Sequence, residues 1–347
     1  MNRKVAIVHG AGYVGRELIA LVDRHPFLDL TMVTSDSQAG KPAWKVHPTL
    51  RHSTDLEFSS FELEALLDLD VILLAGSHGT SFEHVAQLLS SGFAGTIVDL
   101  TSDFRYRDAS THLFWTGESH PNPELLDEFT YGLPEINDIT SSTSAGNRLI
   151  ANPGCFATAI TLALWPLASN IEGLDVHVTA ITGASGSGSR PTTTSHFPRR
   201  DGNLRAYNPL NHRHMGEVLD SLGHKVNVAF VPVSGPWTRG IWGTAQVSLP
   251  IGISEQTIDS WFAEAYGEQT FVRLWGQELP ELGYSVNTPY CDLGWTASGN
   301  HLVVVFGLDN LLKGAASQAI QNVNLSINLP EETGLISPNV KLNALST

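Results

Sequence analysis

The sequence predicts an α/β protein in which a Rossmann-type, doubly wound parallel sheet precedes a second, mixed α+β domain. Strand and helix patterns alternate up to about Asn152, and longer β-like runs separated by polar loops replace them afterwards. A glycine-rich turn at 10–15 follows the first strand, where doubly wound sheets begin their first crossover. We therefore expect one domain over 1–152 and another over 153–310.

Composition and charge narrow the range of possible functions. The 347 residues are 42% hydrophobic and 16% charged, which is typical of a globular chain long enough for two domains. A net charge of −15 disfavours binding to nucleic acid or to an anionic membrane. Cys155 and Cys291 lie far apart, which favours a reducing compartment over a disulfide framework. Because neither a membrane-spanning run nor a signal peptide is evident, we expect a cytoplasmic protein.

The first domain is predicted from its apolar patterns. Residues 5–8 form a continuous apolar run, typical of a strand that is buried on both faces. Apolar residues at helical spacing follow it, namely Val14, Leu18, Leu21 and Val22. The same reasoning predicts strands at 28–33, 71–75 and 96–99 and a helix at 81–89. Repeated strand–helix–strand units of this kind form parallel sheets with right-handed crossovers.

The second domain is predicted to contain long strands and few helices. The β-like runs lie at 176–182, 226–231, 241–249 and 302–308. One internal helix is predicted at 255–266, with Ser254 as its N-cap. A closing helix is predicted from residue 311 to about 327–330, and we expect it to pack back on the first domain.

The first chemical signal is Gly10-x-Gly12-x-x-Gly15, which places Tyr13 and Val14 at the start of a helix. In this setting the backbone N–H groups and the helix N-terminus can hold a pyrophosphate, although a glycine turn without a ligand is the alternative.

The end of the second predicted strand bears on the choice of dinucleotide. Ser35 and Asp36 lie there, and an acidic residue at this place usually binds the ribose hydroxyls of NAD. No arginine stands nearby to receive a 2′-phosphate. Lys41 is the nearest cation, and it could equally be a solvated loop residue.

The second signal is Asn152-Pro153-Gly154-Cys155, followed by an apolar helical series. Cys155 would then begin a helix, where unpaired N–H groups favour the thiolate, which is the nucleophilic form of cysteine. A buried structural cysteine is the alternative reading. Cys291 has no comparable setting, so we interpret it as structural.

The third signal is a polar cluster that contains Ser195, His196, Arg205, His212, Arg213, His214 and Glu217. Histidine can move protons near neutral pH, and arginine can bind phosphate or carboxylate groups. One of the two neighbouring histidines is expected to be only a hydrogen-bonded loop residue. Because the chain lacks a His-Glu-x-x-His sequence and a cysteine pair at metal spacing, we expect no metal site.

Two further loops follow predicted strands. In the first, Arg105 could bind an anion, or it could pair with Asp103 or Asp108 and only brace the loop. In the second, the glycine-rich segment 183–188 could approach a cofactor or could simply be flexible.

Together these features resemble the N-acetyl-γ-glutamyl-phosphate reductase family of arginine biosynthesis over nearly the whole chain. The resemblance rests on 12–18, Asp103-Phe104-Arg105, Asn152-Pro153-Gly154-Cys155, Ser195-His196-Phe197, His212-Arg213-His214-x-x-Glu217, Thr238-Arg239-Gly240-Ile241 and 309–316. It implies that Cys155 is the nucleophile, that His214 is the acid/base residue, and that Ser185, Gly186 and Asn310 lie near the nicotinamide. The expected substrate contacts are Arg105, Ser195, His196, Arg205, His212 and Glu217.

The chain also departs from the family pattern. Relatives usually have glycine where this chain has His9, and some NADP-using members have an arginine near Asp36. Segment 231–237 lacks the usual histidine, which indicates a changed substrate pocket. We expect NADPH as cofactor, with NADH left open, and a homo-oligomer.

The resemblance also extends to sister enzymes that reduce aminoadipyl or glutamyl phosphate bound to a carrier protein. Residues 195–200 resemble the version found in these enzymes. We expect Arg199 and Arg200 to be exposed there, where they would suit an acidic carrier protein. The sequence therefore does not choose between a free substrate and a carrier-bound substrate.

These features lead to one main hypothesis and two rivals. In the main hypothesis, Cys155 attacks an acyl phosphate, phosphate departs, and a nicotinamide reduces the thioester to a semialdehyde. A cysteine hydrolase or acyltransferase would use the same thiol and histidine without a coenzyme. A non-catalytic dinucleotide sensor would bind the coenzyme and leave Cys155 inert.

Overall fold

The first part of the chain forms a parallel sheet. The computed structural model describes residues 2–140 and 148–336, and this sheet comprises β1 (Arg3–Val8), β2 (Leu28–Thr34), β3 (Phe58–Ser59), β4 (Val71–Leu74), β5 (Thr96–Asp99), β6 (Phe129–Tyr131) and β7 (Arg148–Ala151). The strand order is β3-β2-β1-β4-β5-β7-β6, and all neighbours are parallel. The predicted Rossmann-type sheet is confirmed.

Helices cover both faces of this sheet. In chain order they are α1 (Tyr13–Asp23), α2 (Ala43–Val46), α3 (Leu63–Leu67), α4 (Ser81–Ser90) and α5 (Ala109–Thr116), with 3-10 helices at Pro48–Leu50 and Pro123–Glu128. Val5 and Ile7 of β1 belong to one core cluster, and Ala6 and Val8 belong to another. This alternation follows from the pleat of the strand and explains why β1 is apolar throughout.

The second part of the chain forms a mixed sheet. Its strands are β8 (Leu174–Thr182), β9 (Arg205–Ala206), β10 (Val226–Ser234), β11 (Ile241–Ser248), β12 (Val272–Gly276), β13 (Cys291–Ser298) and β14 (His301–Leu308). The strand order is β12-β13-β14-β11-β8-β10-β9. Pairs β8–β10 and β12–β13 are parallel, and the others are antiparallel. The predicted mixed α+β part is therefore confirmed.

The remaining helices are α6 (Cys155–Ala168), α7 (Phe197–Arg200), α8 (His214–Ser221), α9 (Glu255–Tyr266), α10 (Leu282–Ser285) and α11 (Ala316–Ser326), with a 3-10 helix at Ala184–Ser187. Helix α6 is apolar around its whole circumference, because it is enclosed by the second sheet, α8 and α9. Helix α9 has the predicted bounds, and the Ser254 hydroxyl accepts a hydrogen bond from Thr257 N as its N-cap.

The closing helix starts later than predicted. Helix α11 begins at Ala316, because the Asp309 carboxylate accepts hydrogen bonds from the N–H groups of Leu311 and Leu312 and holds the chain in turns. Helix α11 packs on α1 and on β5, and its residues Ala319 and Ile320 share a core cluster with β1. Of the helices in the described ranges, none is both long and apolar enough to cross a membrane.

Candidate active site

A long crevice lies between the two sheets, and it consists of three adjoining cavities. The outer cavity, of about 610 Å³, lies over the glycine turn before α1 and the end of β2. The central cavity, of about 510 Å³, lies between the loops after β4, β8 and β14. The inner cavity, of about 470 Å³, lies between the start of α8 and the loop after β5. Cys155 and His214 line both the central and the inner cavities.

The outer cavity is lined by the glycine turn that precedes α1. Gly15 has to be glycine because a Cβ atom there would lie 2.1 Å from the carbonyl oxygen of Gly10. A Cβ atom at Gly12 would meet none of the described atoms within 4 Å, so the N-terminus of α1 opens onto the cavity. Tyr13, Val14 and Ser35 line the cavity with Gly12, whereas Gly10 and Gly15 shape the turn.

Ser185, Gly186 and Asn310 form the wall of the central cavity, next to Cys155. The Asn310 amide donates to Ser185 Oγ over 3.0 Å and accepts from Gly240 N over 2.6 Å. These hydrogen bonds fix the Asn310 side chain and join the loop after β8 to the loop after β14. The wall is therefore ordered in advance of any ligand.

Cys155 is the first residue of α6, and its extended N-cap is Gly154. Burial raises the pKa of the thiol to about 11, although Arg105, the Phe156 N–H and Arg213 each act to lower it. The expectation that the helix start would favour the thiolate is therefore wrong for the free site, since desolvation outweighs the helix end. Cys291 is fully buried in β13, away from the crevice.

His214 is held against the cysteine loop. A Cβ atom at Gly154 would lie 2.5 Å from His214 Nε2, so only glycine lets the ring pack there. The pKa of His214 lies well below its usual value, because of burial and then of the nearby His212. The His212 Nδ1 accepts from the His214 backbone N–H over 3.3 Å, and burial lowers the His212 pKa to about 4. Both rings are neutral at neutral pH.

The carboxylate of Glu217 is buried against the loop that precedes Cys155. Its Oε2 accepts from Gly154 N over 2.8 Å and from the Tyr131 hydroxyl over 2.8 Å, and its Oε1 pairs with Arg105 over 3.3 Å. Because the side chain is fully buried and its oxygens already have protein partners, the structure does not offer Glu217 to a substrate. This placement corrects the expected substrate contact.

Arg105 pairs with neither Asp103 nor Asp108, so the expected brace within its own loop is wrong. It pairs with Glu217 and donates to the Leu100 carbonyl over 2.7 Å, and it lines the central cavity. Asp103 instead accepts from backbone N–H groups at the start of α4, and Asp108 caps α5. The Arg105 Nε is buried without a hydrogen-bond partner among the described residues. Its positive charge acts to lower the pKa of Cys155, which lines the same cavity.

The remaining expected contacts fall into two groups. Arg205 and His212 line the inner cavity with Cys155 and His214. Ser195 and His196 do not line it, because the Ser195 hydroxyl closes a local turn with Thr192 and His196 is exposed on the outer surface. The structure thus moves these two residues away from the thiol.

Comparisons with known proteins fit this geometry. The semialdehyde dehydrogenase NAD binding domain matches residues 4–145, and the semialdehyde dehydrogenase dimerisation domain matches residues 155–310. N-acetyl-γ-glutamyl-phosphate reductase of Methanopyrus kandleri is 40% identical over 344 residues, covering 96% of this chain and 98% of that protein. The (LysW)-L-2-aminoadipate 6-phosphate reductase of Deinococcus radiodurans is 36% identical over 346 residues, covering 96% and 97%.

The chain belongs to the N-acetyl-γ-glutamyl-phosphate reductase family of semialdehyde dehydrogenases. The resemblance seen in the sequence is confirmed, and the protein is an oxidoreductase with a nicotinamide-dinucleotide-binding domain. Aspartate semialdehyde dehydrogenase II of Vibrio cholerae, complexed with ASA, shares the fold with a TM-score of 0.71 and 17% identity, covering 94% of this chain and 99% of that one. The Candida albicans aspartate semialdehyde dehydrogenase with NADP gives a TM-score of 0.67 at 14% identity.

Sequence reasoning named Arg213 in the polar cluster without giving it a role, and it did not select His78. Arg213 and His78 each line both the central and the inner cavities. Arg213 lies inside the His-Arg-His motif, so its position between two selected histidines was an available signal. His78 follows β4, and burial followed by the two nearby arginines lowers its pKa to about 3. Only the position of His78 at the carboxyl end of a strand could have indicated it.

We predict that Glu217→Gln destabilises this reductase. The substitution keeps the shape of the side chain but removes the negative charge next to buried Arg105, which should lower the free energy of unfolding by roughly 2–4 kcal/mol. Urea denaturation measures this change. Glu172→Gln, at an exposed glutamate, is the matched control and should change stability by less than about 0.5 kcal/mol. Equal stability of the two variants would contradict the buried pairing.

The raised pKa of Cys155 predicts how its alkylation depends on pH. Because the thiol is protonated at neutral pH, the thiolate fraction and the iodoacetamide rate constant should rise roughly tenfold per pH unit between about pH 7 and about pH 9. Peptide mass spectrometry assigns the alkylated cysteine, and Cys155→Ser gives the background. A rate constant that is already at a plateau at pH 7 would show a stable thiolate instead.

Proposed function

We propose that this protein reduces N-acetyl-γ-glutamyl phosphate to N-acetylglutamate semialdehyde through a thioester on Cys155, with NADPH as coenzyme. One observation carries the proposal: Cys155 and His214 lie where a coenzyme-sized crevice meets an arginine-lined cavity. The names of the most similar relatives support the choice of substrate. Product and phosphate would leave by the inner cavity.

Acylation begins with the Cys155 sulfur. It attacks the acyl carbon, a carbon–sulfur bond forms, and the carbon–oxygen bond to phosphate breaks. His214 accepts the thiol proton and passes it to the departing phosphate, and Arg105 and Arg213 stabilise the thiolate. Because the thiol and the imidazole are both neutral in the free site, we infer that the dianionic phosphate of the substrate favours the imidazolium and so promotes this proton transfer.

When bound, the nicotinamide coenzyme supplies a hydride to the thioester carbonyl carbon. The Cys155 sulfur then leaves as the thiolate, the aldehyde forms, and the thiolate regains a proton from solvent through His214. The Phe156 N–H hydrogen bonds toward Cys155, and backbone N–H groups at this helix start could stabilise the developing oxyanion. The buried wall of Ser185 and Asn310 would hold the nicotinamide beside the thiol.

The inner cavity suits a substrate with two anionic groups. Arg205 and Arg213 both line it, and the Arg205 guanidinium lies 5.6 Å from the centre of the Tyr207 ring. One arginine would bind the phosphate and the other the α-carboxylate of the substrate. This assignment makes Arg205 and Arg213 the substrate-binding residues, in place of Ser195 and His196.

A carrier-bound acyl phosphate is the second candidate substrate. Its support is an exposed segment, 189–204, where Phe197 is 74% exposed and Arg199 points to solvent. Arg200 does not fit the expected basic surface, because it is buried and donates to the Gly235 carbonyl. Arg190 and Arg199 are the exposed arginines of this segment. Because the chain as a whole carries a net charge of −15, an acidic carrier would gain little attraction, so we favour the free substrate.

A homo-oligomer is also proposed. The face of the second sheet opposite α6 has half-buried apolar residues on neighbouring strands, namely Ile181, Val231 and Val233. The family model that matches this part is described as a dimerisation domain, which supports pairing of two copies through this part of the chain. NADH remains the alternative coenzyme, since Asp36 lies at the end of β2.

The decisive experiment runs the reaction in reverse with N-acetylglutamate semialdehyde, phosphate and either NADP⁺ or NAD⁺. We expect reduced coenzyme to form fastest with NADP⁺, and a carrier-linked semialdehyde to react more slowly. Cys155→Ser should lower kcat by roughly 10⁴-fold or more while leaving coenzyme binding intact, whereas Cys291→Ser should remain active.

Other outcomes of this experiment would point to the rival functions. Faster turnover of the carrier-linked semialdehyde would favour the carrier-bound acyl phosphate as the natural substrate. In a forward-direction control with added acyl phosphate and reduced coenzyme, hydrolysis of the acyl phosphate without any change in nicotinamide absorbance would indicate a cysteine hydrolase. Coenzyme binding without turnover of any of these substrates would favour the sensor.

A further inference from the structure

His9 has an unusual backbone conformation at the edge of the outer cavity. It follows β1 immediately and has a φ of +60°, in the left-handed region that favours glycine. Its side chain lines the cavity with Ser35 and Asp36 of the β2 end. The His9 backbone N–H donates to Thr34 Oγ1 over 3.1 Å, which ties this residue to the end of β2. An imidazole therefore projects where a glycine would leave open space.

A second histidine meets this imidazole. The Nε2 atoms of His9 and His84 are 2.9 Å apart, so one ring donates a hydrogen bond to the other. His84 lies on α4 and stacks on Phe61 with 4.1 Å between the ring centres. Its Nδ1 is buried without a hydrogen-bond partner among the described residues. His84 is thus fixed by stacking, and it holds the His9 ring at the cavity wall.

Burial and nearby charges act on the pKa of His84. Burial and then the neighbouring His9 lower the pKa of His84, while Glu83 and Asp36 act in the opposite direction. Burial thus disfavours the charged form of His84. The other cations near this end are Arg190, which lines the same cavity, and Lys41, whose Nζ donates to the side chain of Gln38.

We propose that His9, held by His84, is the residue that selects a 2′-phosphorylated dinucleotide over the unphosphorylated one in this crevice. The adenine ribose of a dinucleotide lies at the end of the second strand of a Rossmann sheet, which here is the wall formed by Ser35, Asp36 and His9. Asp36 alone would repel a 2′-phosphate. The His9 imidazole at this wall supplies a hydrogen-bond donor to the phosphate and, when it is protonated, a positive charge that offsets the repulsion. This inference rests on the proposed coenzyme function.

The test measures the dissociation constants of NADPH and NADH by fluorescence titration, from about pH 6 to about pH 8.5. In the wild type, NADPH binding should weaken roughly tenfold as pH rises from about 6.5 to about 8.5, whereas NADH binding should change less than twofold. His9→Gly should lose this difference and bind NADPH roughly tenfold more weakly at pH 6.5, with unchanged NADH affinity. Glycine accepts the positive φ, so the variant should fold.

Controls separate charge from backbone effects. His9→Asn tolerates the same φ without a positive charge, and it should behave like His9→Gly. His52→Gly makes the same change at an exposed histidine with a φ of +70°, and it should keep wild-type binding. Any pH dependence that remains in His9→Gly belongs to the 2′-phosphate itself.

The results distinguish this inference from the function on which it rests. Unchanged NADPH affinity and pH profile in both His9 variants would overturn the role of His9, while the proposed reduction would stand. Equal weakening of NADPH and NADH would show only a structural role for the pair. Failure of the wild type to bind either dinucleotide would overturn both the inference and the proposed function.

Discussion

The buried carboxylate of Glu217 is the contact on which the site depends. Through Gly154 N it holds the loop that presents Cys155, and through Arg105 it holds a positive charge beside the thiol. Glu217 lies on α8, the helix that His214 begins, so one carboxylate joins the cysteine loop to the helix that bears the proposed base. The first turn of α8 therefore positions both the proposed base and, through Glu217, the loop that carries the proposed nucleophile.

This packing has a chemical consequence. The burial that fixes Cys155 and His214 also keeps both groups neutral, since desolvation disfavours the thiolate and the imidazolium alike. A neutral thiol is protected from adventitious alkylation and oxidation in the free protein. In our account the charges develop only when an acyl phosphate enters, so reactivity is coupled to the presence of the substrate.

Local signals were sufficient to predict the fold and part of the site. The glycine turn, the cysteine at a helix start and the capped helix α9 are each encoded by residues close together in the chain. The partner of Arg105 was not predictable, because Glu217 lies 112 residues away and only the folded chain brings the two together. The outward position of Ser195 and the raised pKa of Cys155 likewise depend on tertiary burial, which a motif does not specify.

The most direct test of the account is the rate at which an acyl group becomes attached to Cys155 without coenzyme, followed by rapid quenching and peptide mass spectrometry. We expect the wild type to form a thioester with N-acetyl-γ-glutamyl phosphate, and Glu217→Gln to form it roughly 100-fold more slowly because the thiol and its base are misplaced. Coenzyme binding should be retained. Equal rates in the two proteins, or acylation at another residue, would contradict the account.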